Sequence, residues 1–432
     1  MKLLIITYSY TPDLTPRAFR WSAVAERLAQ KGHTVHVLCA AGSSSHDGRS
    51  EDGVAVHRVK DWLLNASSRV TPGAGAVAIA PRSAVGGLLY ATLRKLVRAV
   101  WRAVYWPDYA CGWVIPAART ARSLCETNNY DWIISVSHPF SGHVVGMLAK
   151  AQTPQSKWFV DISDPYCLMR EPSPNNRLFY AWISRAIEGR VIAGADAISV
   201  TTESTHRLYE SEFPASIGKM HVIPPLLSIS GLDRPSTRQV DGVIRLVFVG
   251  TLYRRLRSPK HLLACVSALK TMLPQLRLEL HFYGAVNDCG DDLASCPEVI
   301  RSCLFVHGMV CRENVVQAMI DADVLVNIGN DSESQLASKV IEYMAVGKPI
   351  LNLVSIARDV SIGALADYPS TLTILRSGSE PDLEVIKALR DFVLNPCRLD
   401  HRVTDLVRSQ FSEDRIAGIY GSILEHPISV PS

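Results

Sequence analysis

The clearest candidates for binding a ligand are Ser334, Ser338 and Glu342, which recur every four positions. On a helix they share one face, and the Glu342 carboxylate lies about 6 Å along the axis from Ser338, at ~1.5 Å of rise per residue. Backbone N–H groups at a helix start attract phosphate, whereas a carboxylate accepts two hydrogen bonds from a ribose diol. The spacing therefore predicts a nucleotide site, with the diphosphate at the helix start and the ribose on Glu342. The alternative is an ordinary solvated helix carboxylate.

The flanking sequence predicts the elements that position this face. Residues 321–329 (DADVLVNIG) and 348–354 (KPILNLV) are typical of buried strands, and the helix between them ends at a Gly-Lys-Pro turn. Strand, helix and strand form a βαβ unit. Its helix begins at the carboxyl edge of the sheet, which is where open α/β sheets bind ligands.

A cationic loop forms a second candidate for phosphate binding. A predicted strand ends at Gly250, and the following loop carries Arg254, Arg255, Arg257 and Lys260. Arginine offers a planar fork to phosphate oxygens and lysine a point charge. We predict that Arg257 and Lys260 neutralise a leaving nucleoside diphosphate without a metal ion. The alternative is a basic loop that serves solubility.

Glycines end several of the predicted strands in this half of the chain, among them Gly308 in VHGMV. Gly250 ends LVFVG, and Gly284 ends LHFYG. A glycine at a strand end lets the backbone approach a nucleobase or bend sharply. Gly250 and Gly284 are candidate nucleotide contacts, and ordinary turn glycines are the alternative.

Two carboxylates follow a predicted strand in the first half, in the string VDISDPY. Asp161 and Asp164 stand at the carboxyl end of that strand, where two carboxylates can divide acid/base or hydroxyl-binding duties. We predict both as catalytic. The alternative for Asp164, which precedes Pro165, is a turn cap.

The composition is that of a globular protein with two large domains. The chain has 432 residues, 47% of them hydrophobic, and no apolar run of membrane-spanning length. Its first residues, MKLLIITYSYTPD, lack a signal-peptide cleavage site, so we expect a soluble, cytoplasmic protein. Ten cysteines without a CxxC pair indicate no zinc site, and a net charge of +4 is too small to indicate nucleic-acid binding.

Short β-rich runs alternate with helical stretches in both halves of the sequence, with a proline- and serine-rich interruption at residues 224–243. We therefore predict an α/β protein of two doubly wound, Rossmann-like domains facing a central crevice. The first spans residues 1–223, the interruption is a linker, and the second spans residues 244–410. A helix within residues 411–432 is expected to cross back to the first domain.

The string SKVIEYMAVGKP resembles the signature of glycosyltransferase family 4, in which a glutamate holds the donor ribose. Most of the chain supports this resemblance, because GTLYRRLRSP is similar to a donor-domain motif and YSYTPDLTPRAFRW to the opening loop and helix of the family. The resemblance implies the GT-B fold and transfer with retention of anomeric configuration. It also implies that the second domain binds a nucleotide sugar and the first an acceptor.

The same resemblance implies roles for residues of the first domain. Arg17 and Arg20, in the opening segment, are expected to contact phosphate or acceptor. His138 and His143 lie in SVSHPFSGHVVGMLAK, which is similar to the segment that borders the sugar site. His143 is predicted to be catalytic, together with Asp161 and Asp164, through a hydrogen bond to a sugar or acceptor hydroxyl; the alternative is that it caps and packs.

The donor-sugar contact is expected in the loop before the nucleotide-binding helix. Paired glutamates of the family stand eight positions apart, but Ser334 is the residue eight positions before Glu342. We therefore predict the sugar contacts among Glu333, Ser334 and Gln335. Beside the predicted helix start, Lys339 joins Ser338 as a candidate diphosphate contact.

The stretch that begins at Leu88 and ends at Tyr105 places Arg94, Arg98 and Arg102 four residues apart, opposite an apolar side. Such a basic amphipathic helix is typical of an element on an anionic membrane surface. We expect peripheral contact with the inner membrane face and a lipid-linked acceptor. Packing against its own domain is the alternative.

Together these features predict a metal-independent, retaining, hexosyltransferase-type glycosyltransferase. It would move a sugar from a nucleotide diphosphate sugar, with a UDP-sugar favoured, to a hydroxyl of a glycan, lipid-linked or other glycoconjugate acceptor. The nucleotide sugar is a co-substrate, and no cofactor or metal is expected. Two alternatives stay open: a sugar-nucleotide epimerase of the same fold, and a catalytically silent transferase-like subunit, which Ser334 in place of a glutamate motivates.

Overall fold

The structure is a computed structural model that describes residues 1–13, 15–42, 48–49, 53–62, 104–169, 173–229, 231–238, 242–330, 332–378, 380–397 and 399–426. Most of the predicted basic helix that ends at Tyr105 lies outside these residues. Among the described residues, no helix is both long and apolar enough to cross a membrane.

The chain divides into two compact units. The first contains Met1–Pro224 and the chain from Ile416 onward, and the second is Pro225–Arg415. The predicted linker at residues 224–243 is therefore corrected, because most of it belongs to the second unit. Leu227, Ile229 and Leu232 pack against a core of that unit, and the Leu227 N–H donates to the Phe411 carbonyl oxygen at 2.9 Å.

The first unit is built on a sheet that has eight strands among the described residues, in the order β3-β4-β2-β1-β5-β6-β7-β8. All neighbours pair in parallel except β3 and β4. The strands are β1 (Lys2–Ile6), β2 (Thr34–Ala40), β3 (Gly48–Arg49), β4 (Ala55–Val59), β5 (Trp132–Ser137), β6 (Lys157–Ile162), β7 (Ala197–Val200) and β8 (Met220–Val222). The helices between them are α1 (Pro16–Gln30), α2 (Cys111–Thr127), α3 (Ser141–Gln152), α4 (Arg177–Gly194) and α5 (Glu203–Glu212).

Continuous apolar runs explain the central strands of this sheet. Every residue of β5, WIISVS, is buried, as expected for a parallel strand with helices on both faces. The helix α1 starts where the sequence provides a cap, because the Thr15 hydroxyl accepts a hydrogen bond from the Ala18 N–H at 3.2 Å and Pro16 fills the first helical position. The strand order reverses between β1 and β5, so the carboxyl ends of these two strands mark the ligand-binding position of a doubly wound sheet.

The second unit is a six-stranded parallel sheet in the order β11-β10-β9-β12-β13-β14. Its strands are β9 (Ile244–Val249), β10 (Leu278–Tyr283), β11 (Leu304–Gly308), β12 (Val324–Ile328), β13 (Ile350–Val354) and β14 (Thr371–Leu375). Its helices are α6 (Lys260–Met272), α7 (Gly290–Ala294), α8 (Glu298–Arg301), α9 (Arg312–Ile320), α10 (Ser338–Val346), α11 (Val360–Ala364), α12 (Leu383–Leu394) and α13 (His401–Gln410). Here the strand order reverses between β9 and β12, which places the corresponding ligand position at their carboxyl ends.

The last helix, α14 (Glu413–Glu425), packs with the first unit from Ile416 onward. Tyr420 is 1% exposed, and its hydroxyl donates to the Asp161 carboxylate at 2.7 Å. The Trp132 indole N–H donates to the Leu424 carbonyl oxygen at 3.1 Å. The helix α14 is therefore part of the first unit, although the second unit precedes it in the sequence.

Candidate functional site

The second-unit edge, which we define as Arg257, Asn330, the start of α10 and Glu342, lies where the strand order reverses. Gly250 follows β9, and a Cβ atom on Gly284, after β10, would overlap the Gly250 carbonyl oxygen. Gly284 also has a φ of 124°, which favours glycine. These two predicted glycines thus have a structural reason to be glycine: the loops after β9 and β10 meet with no room for a side chain.

Arg257 bridges the two strands at the reversal point. Its guanidinium donates from Nε to the Asn330 amide oxygen at 3.1 Å and from Nη1 to the Thr251 carbonyl oxygen at 3.3 Å, and Nη2 also donates to Asn330. Burial lowers the pKa of Arg257. Both hydrogen-bond partners are neutral, so they hold the guanidinium in place without neutralising its charge.

The helix α10 begins at this edge with no side-chain cap. Its N-cap residue, Ala337, has no side chain that can accept a hydrogen bond, so the first N–H groups of the helix are left without a side-chain acceptor. A helix start of this kind carries partial positive charge and favours an anion. Ser338 and Lys339 occupy the first two helical positions, and their contact with a diphosphate stays a prediction. The predicted helix face is confirmed for Ser338 and Glu342 but is wrong for Ser334, which lies in the loop before the helix.

Glu342 lies on the same helix and is largely buried, with a side chain that is 7% exposed. Lys339 lies one turn earlier in the helix, and its ammonium donates a hydrogen bond to the Glu342 carboxylate. Glu342 is therefore a fixed acceptor beside the helix start. A carboxylate can accept hydrogen bonds from both hydroxyls of a diol.

The loop between β12 and α10 is tied to Arg257 through Asn330. The Asn330 side-chain amide donates to the Gln335 carbonyl oxygen at 3.1 Å. The Ser332 hydroxyl accepts from the N–H groups of Ser334 at 3.3 Å and Gln335 at 3.1 Å. Glu333, by contrast, is exposed. Hydrogen bonds from Asn330 and to Ser332 thus hold the predicted sugar-contacting loop. The Glu333 carboxylate in this loop faces solvent.

Lys260 differs from Arg257, although the sequence suggested the same role for both. Its side chain is 65% exposed, and its ammonium lies 3.5 Å from the Asp292 carboxylate. A solvent-exposed pair of this kind contributes little. Of the two predicted cations, Arg257 is the one held at the strand reversal.

Two basic side chains at this edge were missed by the sequence analysis. A cavity of about 150 Å³ lies beside Gly329 and is lined by His261, Arg376, Arg254 and Arg255 among others. Burial and the nearby Arg376 lower the pKa of His261. Arg376 directly follows β14, so its place after a predicted strand was the signal available in the sequence.

The first-unit edge, which we define as Arg17, Asp164, His138 and Tyr109, lies at the carboxyl ends of β5 and β6. Arg17 and Asp164 form an ion pair of 2.5 Å with side chains 26% and 19% exposed. The His138 ring lies 5.6 Å from the Tyr109 ring, centre to centre, and burial lowers the pKa of His138. Three predicted residues thus come together in a partly exposed polar group, which can offer hydrogen bonds to an acceptor.

Asp161 does not fit its predicted catalytic role. It is 1% exposed, and its carboxylate accepts from the Trp21 indole N–H at 2.9 Å, the Ser199 hydroxyl at 2.6 Å and the Tyr420 hydroxyl at 2.7 Å. These bonds satisfy a buried charge. Asp161 therefore joins elements of the fold instead of touching a substrate.

His143 also falls outside the edge, so the packing alternative fits the structure. It is 1% exposed, and its Nδ1 lies 2.9 Å from the Ser135 hydroxyl. Burial lowers the pKa of His143 to about 3. The ring is therefore neutral at neutral pH and out of reach of an acceptor hydroxyl.

Arg20 is not the predicted phosphate or acceptor contact. It is 5% exposed and donates to the Tyr420 hydroxyl at 2.7 Å, to the Pro224 carbonyl oxygen at 2.7 Å and to the Ile223 carbonyl oxygen at 3.2 Å. Its hydrogen bonds link α1 to the last helix and to the end of the first unit's sheet. Separately, no group of three His, Cys, Asp or Glu side chains able to hold a metal ion occurs among the described residues.

Comparison with known proteins gives a consistent result. The Glycosyl transferase 4-like domain family matches residues 18–225, which make up most of the first unit. Curated protein sequences give no match. The solved structure of a trehalose-6-phosphate synthase, OtsA, aligns over 100% of both chains with a TM-score of 0.66 at 13% identity.

Two lipopolysaccharide enzymes are also similar in structure. WaaG, a glycosyltransferase involved in lipopolysaccharide biosynthesis, aligns over 99% of this chain and 100% of its own with a TM-score of 0.57 at 13% identity. The outer core galactosyltransferase WaaB aligns over 98% and 99% with a TM-score of 0.58 at 13% identity. The predicted fold class is confirmed, because the chain has the GT-B fold, and the predicted family is confirmed for residues 18–225, which match the glycosyl transferase 4-like domain.

Proposed function

We propose that the protein transfers a hexosyl group from a nucleotide diphosphate sugar to a hydroxyl of a glycan, lipid-linked or other glycoconjugate acceptor. The proposal includes retention of configuration, independence of a metal ion and a UDP-sugar as the favoured donor. The observation that carries it is the second-unit edge, where an uncapped helix start, the Arg257 guanidinium and the Glu342 carboxylate occur together. Diphosphate and ribose require these three kinds of group.

In the proposed reaction, the second unit stabilises the leaving group. The α10 N–H groups and Arg257 would bind the diphosphate oxygens, whose charge increases as the bond to the sugar breaks. Arg257 is already fixed by Asn330 and Thr251, so little reorganisation accompanies this step. A phosphate oxygen of the leaving group would accept the proton of the acceptor hydroxyl.

The acceptor side of the proposal now rests on fewer residues than the sequence suggested. Asp161, His143 and Arg20 are withdrawn, because each is buried and bound within the fold. Asp164, Arg17 and His138 stay as acceptor contacts, because they lie partly exposed at the carboxyl edge of the sheet. We further propose that the protein works in the cytoplasm, peripherally at the inner membrane face.

Binding of free nucleotides tests the proposal directly. Calorimetry with UDP, GDP, ADP and dTDP, in the presence of a chelator, is expected to show binding of one nucleotide. Glu342→Ala should weaken it by roughly 10- to 100-fold, the cost of about 1.5–3 kcal/mol for a hydrogen bond to a charged group. Glu333→Ala is the matched control, because this exposed glutamate is proposed to contact the sugar and not the nucleotide.

The outcomes separate the alternatives. If no nucleotide binds, the donor site is wrong and the silent-subunit alternative takes its place. If binding occurs only after a divalent metal is added, metal independence is wrong. With a nucleotide sugar and no acceptor, an altered sugar nucleotide as the product would identify an epimerase.

A further inference from the structure

The helix α4 carries an apolar surface that the described residues of its own unit leave uncovered. Leu178 is 93% exposed, Phe179 66% and Trp182 74%. Positions 178, 179 and 182 lie on one side of the first two turns of the helix. Exposed clusters of large apolar side chains are uncommon on soluble proteins and mark interaction sites.

The exposed charged residues at the start of α4 are basic. The exposed positions on the first ten residues of α4 are Arg177, Leu178, Phe179, Ala181, Trp182, Arg185 and Ala186, with no acidic residue among them. The Arg177 guanidinium donates to a backbone oxygen, that of Met169, at 2.7 Å, so this contact leaves its charge in place. Arg185 shares its charge with Glu212 at 2.9 Å.

We propose that this surface of α4, defined as Arg177, Leu178, Phe179 and Trp182, binds an anionic lipid bilayer. Tryptophan, phenylalanine and leucine next to arginine are the combination that favours the boundary between lipid headgroups and acyl chains. The apolar side chains would enter this boundary, while the arginine binds lipid phosphate.

A second observation concerns the segment that lies beside the same helix. The Tyr180 hydroxyl on α4 donates to the Val104 carbonyl oxygen at 2.8 Å. Val104 is 60% exposed and belongs to the end of the basic stretch for which the sequence predicted peripheral membrane contact. The proposed function also places the protein at a membrane. The contact through α4 does not depend on transferase chemistry.

A second copy of the chain is a less favourable occupant. A symmetric dimer through this surface would bury Arg177 of both copies in one interface, because a twofold contact uses the same patch on each partner. Like charges without intervening carboxylates disfavour such an interface. An anionic surface complements the same charge.

Vesicle flotation of the full chain tests the proposal. The wild type is expected to float with vesicles of phosphatidylcholine mixed with phosphatidylglycerol, and less with phosphatidylcholine alone. The double variant Phe179→Glu/Trp182→Glu should lower the partition coefficient at least about tenfold, because two apolar side chains are replaced by charges that anionic lipid repels. The matched control is Leu383→Glu/Leu406→Glu, since both leucines lie on helices of the second unit and are 58% exposed; this variant should float like the wild type.

Three results would overturn the proposal. The α4 variant could float as well as the wild type while the variant Arg94→Glu/Arg98→Glu/Arg102→Glu no longer floats. This result would assign the membrane contact to the earlier basic stretch. A wild-type dimer that the α4 variant converts to monomer, measured by light scattering without vesicles, would identify a second copy as the occupant. A lower melting temperature of the α4 variant with unchanged flotation would show that the protein itself covers the surface. Calorimetry with UDP on the same samples reports on the donor site independently of all three.

Discussion

The two sheet edges use arginine in opposite ways. In the first unit, Arg17 pairs with the Asp164 carboxylate, so opposite charges meet and the edge is close to neutral. In the second unit, Arg257 is held by an amide and a backbone carbonyl, so its positive charge stays available to an anion. We therefore expect the first edge to bind hydroxyl groups and the second to bind phosphate, although both lie at similar strand reversals.

Removing the arginine of each edge should give the largest contrast. Arg257→Met is expected to weaken UDP binding by about 100-fold or more, because charge-assisted hydrogen bonds to the diphosphate are lost. Arg17→Met should leave UDP affinity unchanged. Calorimetry measures both, and Arg257→Lys, which keeps the charge, should fall between wild type and Arg257→Met. Equal effects of the two methionine variants would contradict the contrast between the edges.

Ligands with and without a ribose can distinguish the roles of Glu342 and the helix start at the second-unit edge. Glu342→Gln is expected to weaken UDP by roughly 10-fold, because a charged acceptor of the ribose hydroxyls becomes neutral. Inorganic diphosphate, which has no ribose, should bind the variant as well as it binds the wild type. A parallel loss for both ligands would mean that Glu342 positions the helix start or Lys339 and does not hold the sugar.

Substitutions at the first-unit edge should lower the rate of sugar transfer and leave the affinity for the donor nucleotide unchanged. Asp164→Asn removes the partner of Arg17, and we expect about tenfold slower transfer with unchanged UDP affinity. Asp161→Asn serves as a contrasting variant, because it disrupts a buried hydrogen-bond network and should lower the free energy of unfolding by about 2 kcal/mol. A change in UDP affinity with Asp164→Asn would contradict the assignment of this edge to the acceptor.

The remaining prediction concerns the pH dependence of stability. The pKa of His143 is lowered to about 3, below an ordinary value of ~6.5, so the unfolded chain binds a proton that the folded chain does not. The free energy of unfolding should therefore fall as pH decreases from about 6.5 toward 3, with His143 contributing at most about 1.4 kcal/mol per pH unit. Denaturant titrations of His143→Asn should show a shallower slope over this interval. An unchanged slope would mean that the ring is protonated inside the fold.

The sequence predicted the second-unit edge better than the first, for a physical reason. The helix α10 and its turn are local: Ser338–Val346 forms the helix, and Gly347 ends it with a φ of 80°, as a Gly-Lys-Pro turn favours. Spacing within nine residues was enough to put Ser338 and Glu342 on one helix. The role of Asn330 in fixing Arg257 was not predictable in this way, because the two residues meet only after the sheet has formed.

The failures in the first unit come from long-range contacts. Asp161 and Arg20 look like site residues because each stands close to a loop at the carboxyl edge of the sheet. Both are bound by Tyr420, which lies far away in the sequence on the last helix. His143 failed for a related reason, since periodicity places it on a helix but does not reveal which face the sheet buries.

The involvement of α14 in the first unit has a consequence for synthesis of the chain on the ribosome. Asp161 and Arg20 emerge early, but Tyr420 follows only after the whole second unit has been made. A domain that normally folds first during translation must here wait for α14 before Arg20 and Asp161 form their hydrogen bonds with Tyr420. A nascent chain or fragment that stops at Pro224 should therefore hold an incomplete first unit, and exchange of this unit between related enzymes has to carry both of its segments.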